Sequence, residues 1–284
     1  LLKQRILTAA VLAPITIAAI FFLPLKLFAL FAAAVYLLAA REWGGFVNRS
    51  CQSWFIYPLG LILAATLVVV PIDAIWVPHL HQGAKYLLIV GGAWWLLSAI
   101  MVLSYPTSSS IWTKNAWFKA LFGILTLVPF FWSLVTLRGA DAMHDPLHGA
   151  WLVLFVMLLV WGADTGAYFS GKALGKHKLA PKVSPGKTIE GFVGGLLTTL
   201  VVAIIAMFLF EIPGDRQGYF IFSAVMASLA STLGDLNESM FKREAGLKDS
   251  GNLLPGHGGV MDRIDSLTAA LPVFTLCYIV WFNS

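Results

Sequence analysis

The densest chemistry in this chain lies between residues 239 and 265. That stretch holds Lys242, Arg243, Glu244, Lys248, Asp249, His257, Asp262, Arg263 and Asp265. Only 12% of the whole sequence is charged, so such a concentration marks a place of reaction. Just upstream, Ser231, Asp235, Ser239 and Lys242 are spaced to share one face of a helix. Glu238 borders that stripe. Asp235 and Asp262 are the natural pair for Mg²⁺, which takes oxygen ligands, typically one or two protein carboxylates plus substrate phosphates. Between them, Gly256-His257-Gly258-Gly259 reads as a turn whose main-chain N–H groups can approach phosphate. His257 is expected to add a phosphate or nucleotide contact.

A second basic region runs from residue 171 to 191. It carries Lys172, Lys176, Lys178, Lys182 and Lys187, with Glu190 as its one acid. Ser184-Pro185-Gly186-Lys187-Thr188 looks like the end of a phosphate-binding P-loop, but Pro181 stands where the first glycine should be. No strand is expected before it either, so the P-loop is rejected. Ser184, Lys187 and Thr188 remain candidates for an anionic substrate. Asp164, Glu190, Asp235 and Asp262 all fall near the same ends of four late apolar segments. Ionisable groups at the centre of a span cost about 2.5–3.5 kcal/mol each, so a common depth argues for one shared polar cavity.

These groups must be positioned by a chain of unusual greasiness. Of 284 residues, 59% are hydrophobic, and the mean hydropathy is +0.82. Soluble domains are about 45–50% apolar and about 25% charged. The expectation is one all-α polytopic membrane protein, because a helix satisfies its own backbone in lipid. Segments of roughly spanning length fall at 5–23, 25–40, 54–71, 85–104, 117–137, 150–171, 188–210, 218–237 and 266–282. With the N-terminus placed in the cytoplasm, alternation puts 15 of the 19 Lys and Arg residues inside and 4 outside. That favours nine spans with a periplasmic C-terminus. Residues 1–110 are expected to be scaffold. Residues 111–284 are expected to be catalytic, with cytoplasmic loops at 172–188 and 238–265. The net charge of +5 is explained by this topology without nucleic acid. Cys51 and Cys277 form no metal spacing and read as inert.

Basic groups for phosphates, carboxylates for a divalent ion and a cavity at the lipid–water boundary suggest a lipid reacting with a soluble phosphorylated compound. Phosphoryl and nucleotidyl transfer need no protein nucleophile, since positioning and charge neutralisation suffice. An ion-coupled carrier is the alternative from another class. Against it, the charge lies at one face, and no inverted repeat is visible.

The run from Ser239 through Phe241-Lys242-Arg243, Lys248-Asp249, Pro255, His257-Gly258-Gly259 and Asp262-Arg263 to Asp265 resembles the signature of bacterial phosphatidate cytidylyltransferases (CDP-diacylglycerol synthases). The likeness extends to Leu233-Gly234-Asp235-Leu236, Ser184-Pro185-Gly186-Lys187-Thr188 and Trp161-Gly162-Ala163-Asp164. It covers about the last half of the chain; the N-terminal part, expected to be scaffold, matches only as apolar spans. The resemblance implies that CTP and phosphatidic acid give CDP-diacylglycerol and pyrophosphate. It also implies Mg²⁺ held by Asp235 and Asp262, a monovalent cation such as K⁺, a homodimer and the bacterial inner membrane, with the site facing the cytoplasm. Lys242, Arg243, Lys248, His257 and Arg263 would then serve the polyanions. Ser239, Gly258, Gly259, Asp164, Glu190 and Glu238 would line the substrates. A CTP-dependent lipid-alcohol kinase is the related competitor, and it would release CDP.

Overall fold

A computed structural model describes residues 2–77, 79–256 and 258–282. Its elements are α1 (Leu2–Phe22), α2 (Leu25–Val47), α3 (Ile56–Val69), α4 (Gln82–Leu103), the short α5 (Ser109–Trp112), α6 (Ala116–Arg138), α7 (His148–Leu174), β1 (Lys178–Ala180), β2 (Ser184–Thr188), α8 (Ile189–Leu209), α9 (Gln217–Ala245) and α10 (Met261–Phe282). Every expected apolar segment is a helix. Among the described residues, seven helical stretches are long and apolar enough to cross a membrane, starting with Gln52–Val69 and ending with Met261–Phe282. The described apolar part of α1 is Ala10–Phe22, and α2 carries Lys26, Arg41 and Glu42.

Side chains that a soluble protein would hide are turned outward here. Phe22, Val68, Leu96, Leu103 and Trp117 are all more than 70% exposed. In a chain that spans a bilayer, this is the lipid-facing surface, because tails solvate apolar groups as well as a core does. The interior has two apolar centres. One gathers Tyr36, Trp43, Trp94, Phe131, Trp132 and Phe241. The other gathers Phe28, Phe130, Phe155, Phe220, Leu271 and Phe274. Helix α10 feeds both, through Ala269 and Phe274, and so runs along the axis of the bundle.

Helix α9 continues to Ala245, well beyond the expected end of its span at 237. The extension is polar, with Glu238, Lys242, Arg243 and Glu244. It is held by an aromatic nest in which Phe241 lies 4.9 Å from Trp43 of α2 and 4.7 Å from Trp112 of α5. The helix ends at Gly246 in the left-handed conformation, φ 61°. There Leu247 N–H donates to the Lys242 carbonyl at 2.8 Å, a glycine-terminated cap. Since α10 opens at Met261, the expected 238–265 loop shortens to residues 246–260.

The 172–188 segment also departs from a loop. Helix α7 runs to Leu174, and β1 pairs antiparallel with β2, with Lys178 opposite Thr188. A strand therefore does precede the Ser184–Thr188 run, contrary to the sequence reading. Pro181 still denies it the P-loop pattern. Thr188 ends β2 and caps α8, its hydroxyl accepting from Gly191 N–H at 3.1 Å.

Candidate functional site

The site is built where α9 meets α10. Gly234 makes the approach possible: a Cβ there would collide with the Asp265 carbonyl of α10. One and two turns further along α9, Glu238 and Lys242 face the same crossing. Lys242 Nζ donates to Glu238 Oε2 at 2.6 Å and to Asp262 Oδ1 at 2.8 Å. The Glu238 and Asp262 side chains are 1% and 6% exposed, and Lys242 is 15%, so this triad is largely sealed. Asp262 is further held by Ser250 N–H at 2.9 Å and Gly259 N–H at 2.8 Å, both to Oδ2. Gly258 approaches the same oxygen with φ at 82°. Asp262 is thus the meeting point of α9, the 246–260 turn and α10.

Asp235 lies at the more open end. Lys187 Nζ reaches its Oδ2 at 2.7 Å from the hairpin, and both side chains are about 30% exposed. Ser239 Oγ lies 3.3 Å from Asp235 Oδ1. Charged groups near enough to act on Asp164 include Lys187, Asp235 and Arg263. Those acting on Asp265 include Asp235 and Lys242. Five carboxylates (Asp164, Asp235, Glu238, Asp262 and Asp265) therefore share one end of the bundle with Lys187, Lys242 and Arg263.

A cavity of about 420 Å³ opens beside Asp235, between α7, α8, α9 and the hairpin. Asp164, Lys187, Thr188 and Asp235 form its polar wall, and Phe192 and Leu196 its apolar wall. The hairpin is anchored from two sides. Arg243 Nε donates to the Val183 carbonyl at 3.1 Å. Glu190 Oε2 accepts from the main-chain N–H of Lys176 at 3.0 Å, and its Oε1 lies 2.6 Å from His177 Nδ1. Glu190 thus faces the hairpin's root instead of the carboxylate group. Outside the spans, Tyr105 donates to Glu244 Oε1 at 2.9 Å. Burial first, and then this carboxylate, raises its phenol above the ordinary value. Lys248, Asp249 and Arg263 are exposed, as is Gly186 on the hairpin, while Ser184 is half-buried opposite Ala180. His257 lies outside the described residues.

The sequence reading left the role of Asp265 open and missed Glu42. Asp265 reads from sequence as well for a solvated interfacial acid as for a site residue, yet it packs against α9 among the other carboxylates. Glu42 of α2 belongs to no motif in the sequence, and it is 4% exposed. It accepts from Ser250 Oγ at 3.0 Å, Val260 N–H at 2.9 Å and Met261 N–H at 2.7 Å. One signal was available: of the chain's 14 acids, only Glu42 and Asp73 precede Asp141.

The donor set suits a hard divalent cation. It is all oxygen, carboxylates outnumber cations, and the buried Glu238 Oε1 accepts no hydrogen bond from a donor among the described residues. Among the described residues no three His, Cys, Asp or Glu side chains converge into a preformed cage.

Residues 3–281 match the cytidylyltransferase family. The chain is 46% identical over 287 residues to the phosphatidate cytidylyltransferase of Haemophilus influenzae, covering 98% of this chain and 99% of that one. It is 46% identical over 274 residues to that of Pseudomonas aeruginosa, covering 96% of each. The phosphatidate cytidylyltransferase of Staphylococcus aureus strain COL is 34% identical over 283 residues, with 98% and 99% covered.

Proposed function

This chain belongs to the cytidylyltransferase family, and from that premise we propose how its charged end carries out the reaction. It is a membrane enzyme that transfers a cytidylyl group from CTP to phosphatidic acid, giving CDP-diacylglycerol and pyrophosphate for phospholipid synthesis. The observation that carries the site assignment is the junction of Asp235 and Asp262, brought from two helices to one end of the bundle, each with a lysine at hydrogen-bond distance.

Asp235 and Asp262 are the residues that would hold Mg²⁺. When bound, that ion supplies charge neutralisation at the CTP phosphates. Lys187 and Lys242, which pair with those carboxylates, would contribute positive charge toward the substrate phosphates. Arg243, Lys248 and Arg263 add positive charge on the exposed side, and His257, named from the sequence alone, is proposed to add a phosphate contact. A phosphatidate oxygen attacks the α-phosphorus in line, the bond to the bridging oxygen breaks, and pyrophosphate leaves with that electron pair. No side chain needs to accept a proton in this step. Asp164 and Glu238 orient the lysines, and Glu190 holds the hairpin that carries Lys187.

The cavity suits the lipid head group. Its polar wall meets phosphate, while Phe192 and Leu196 border the path of the acyl chains. The site faces the cytoplasm of a bacterial inner membrane in this reading, supported by the 15-to-4 distribution of basic residues. A monovalent cation such as K⁺ and a homodimeric assembly belong to the same reading, supported by the likeness of the 239–265 segment.

The test is a direct assay. Purified protein in vesicles receives labelled CTP, phosphatidic acid and Mg²⁺. Labelled CDP-lipid with one pyrophosphate per turnover is the expected result. Release of CDP with a newly phosphorylated lipid would replace this reading with the kinase.

A further inference from the structure

We propose that Glu42 is a positioning residue for this reaction: from the N-terminal half of the chain, it fixes the frame on which Asp262 is presented. The inference rests on the reading of Asp262 as a metal-holding carboxylate. Glu42 is not one of the groups placed against the substrates, and it acts through Ser250, Val260 and Met261.

The geometry is a clamp with two jaws. Val260 and Met261 stand where α10 begins, and their main-chain N–H groups are donors that the helix itself leaves unsatisfied. Glu42 takes both, one on each oxygen, at 2.9 and 2.7 Å. Its Oε2 also accepts the Ser250 hydroxyl at 3.0 Å. Ser250 is therefore gripped twice, since its hydroxyl goes to Glu42 while its main-chain N–H goes to Asp262 at 2.9 Å. The turn is wrapped closely round the carboxylate. A Cβ on Gly251 would stand 2.6 Å from Glu42 Oε1, and one on Gly259 would collide with Glu42 Oε2. Gly259 also gives its N–H to Asp262 at 2.8 Å. Both main-chain donors on Asp262 thus come from residues packed against Glu42.

A carboxylate is needed here because all three of its partners are donors. Glu42→Gln keeps the shape but turns an NH₂ group toward a donor, so one jaw must open. Groups that orient a metal's ligands typically change metal affinity by about 10–100-fold when altered. A merely structural buried glutamate would lower the melting temperature and leave that affinity alone.

The experiment uses the full chain in lipid nanodiscs. Mn²⁺ binding is measured by electron paramagnetic resonance with CTP present and phosphatidate absent, alongside the Mg²⁺ concentration for half-maximal turnover and the melting temperature. Tyr36→Phe is the control, since it removes a 3.0 Å bond to the Leu59 carbonyl from the same helix as Glu42, away from the site. Glu42→Gln is expected to weaken Mn²⁺ binding by at least about tenfold and to raise the Mg²⁺ requirement in parallel. Tyr36→Phe should leave both unchanged. Wild-type affinity within about twofold in Glu42→Gln, whatever its melting temperature, overturns the proposal. If Glu42→Gln does not accumulate, Ser250→Ala takes its place. That variant keeps the Ser250 N–H on Asp262 and loses the hydroxyl that links the two acidic residues, donating to Glu42 at 3.0 Å and accepting from Asp262 N–H at 3.3 Å. Weaker binding in it supports the proposal, and unchanged binding overturns it. A wild-type protein that binds no Mn²⁺ would instead remove the metal-site reading on which the proposal rests.

Discussion

Lys242 of α9 and Asp262 of α10 meet at 2.8 Å with their side chains only 15% and 6% exposed. The lysine also serves Glu238 at 2.6 Å, so one ammonium stands between two sealed carboxylates. Removing one partner from a buried pair costs more than the pair contributes, because the remaining charge is left without compensation.

Lys242→Met should therefore destabilise the protein by about 3–5 kcal/mol as well as abolish turnover. Thermal melting in detergent and the CTP assay would read the two effects. An unchanged melting temperature would show that Lys242 is not the internal counter-ion of Glu238 and Asp262.

Lys187 makes the contrasting case. Its bond to Asp235 is just as short, but both side chains are about 30% exposed. A solvated pair contributes about 0–1 kcal/mol. Lys187→Ala should leave melting nearly unchanged while lowering kcat/KM by roughly 100-fold, the scale of a lost group that stabilises developing charge. A large drop in stability with normal turnover would make Lys187 structural.

Asp262→Asn should stop turnover and also loosen the 246–260 turn. An asparagine has one acceptor oxygen where three groups now donate, and each buried donor left unsatisfied costs about 1–3 kcal/mol. Limited proteolysis should show faster cleavage within 246–260 and unchanged cleavage elsewhere. Retained activity would remove Asp262 from the metal-holding pair.

Chelation separates chemistry from folding. EDTA should abolish turnover, and Mg²⁺ should restore it, while far-ultraviolet circular dichroism and the melting temperature stay the same. Asp235 and Asp262 are already held by Lys187, Lys242 and main-chain N–H groups, so the fold is expected to persist without the ion, unlike that of a structural metal site. Unfolding on chelation would contradict this.

The spans were legible because hydropathy is a local property. Ile189–Leu209 reaches a mean hydropathy of 2.5, and nothing in it competes with a helix. That Asp235 and Asp262 lie toward the same end of the bundle was legible too, from their places at the ends of apolar segments. What escaped was set by partners distant in sequence. The polar end of α9 looked like loop, because Glu238 and Lys242 gain their helix from Phe241 packing on Trp43 and Trp112. The hairpin was too short to show alternation, and Pro181 and Pro185 argued against strand. Glu42 lies 208 residues from Ser250, and no local pattern reports such a contact.

The cavity with Lys187 on one wall and Leu196 on the other imposes an unusual kinetic dimension. One reactant arrives through three-dimensional diffusion, and the other slides within a film two molecules thick. In mixed micelles the rate must then follow the mole fraction of phosphatidate in the detergent surface, and diluting that surface with inert amphiphile should slow the enzyme even at constant bulk concentration.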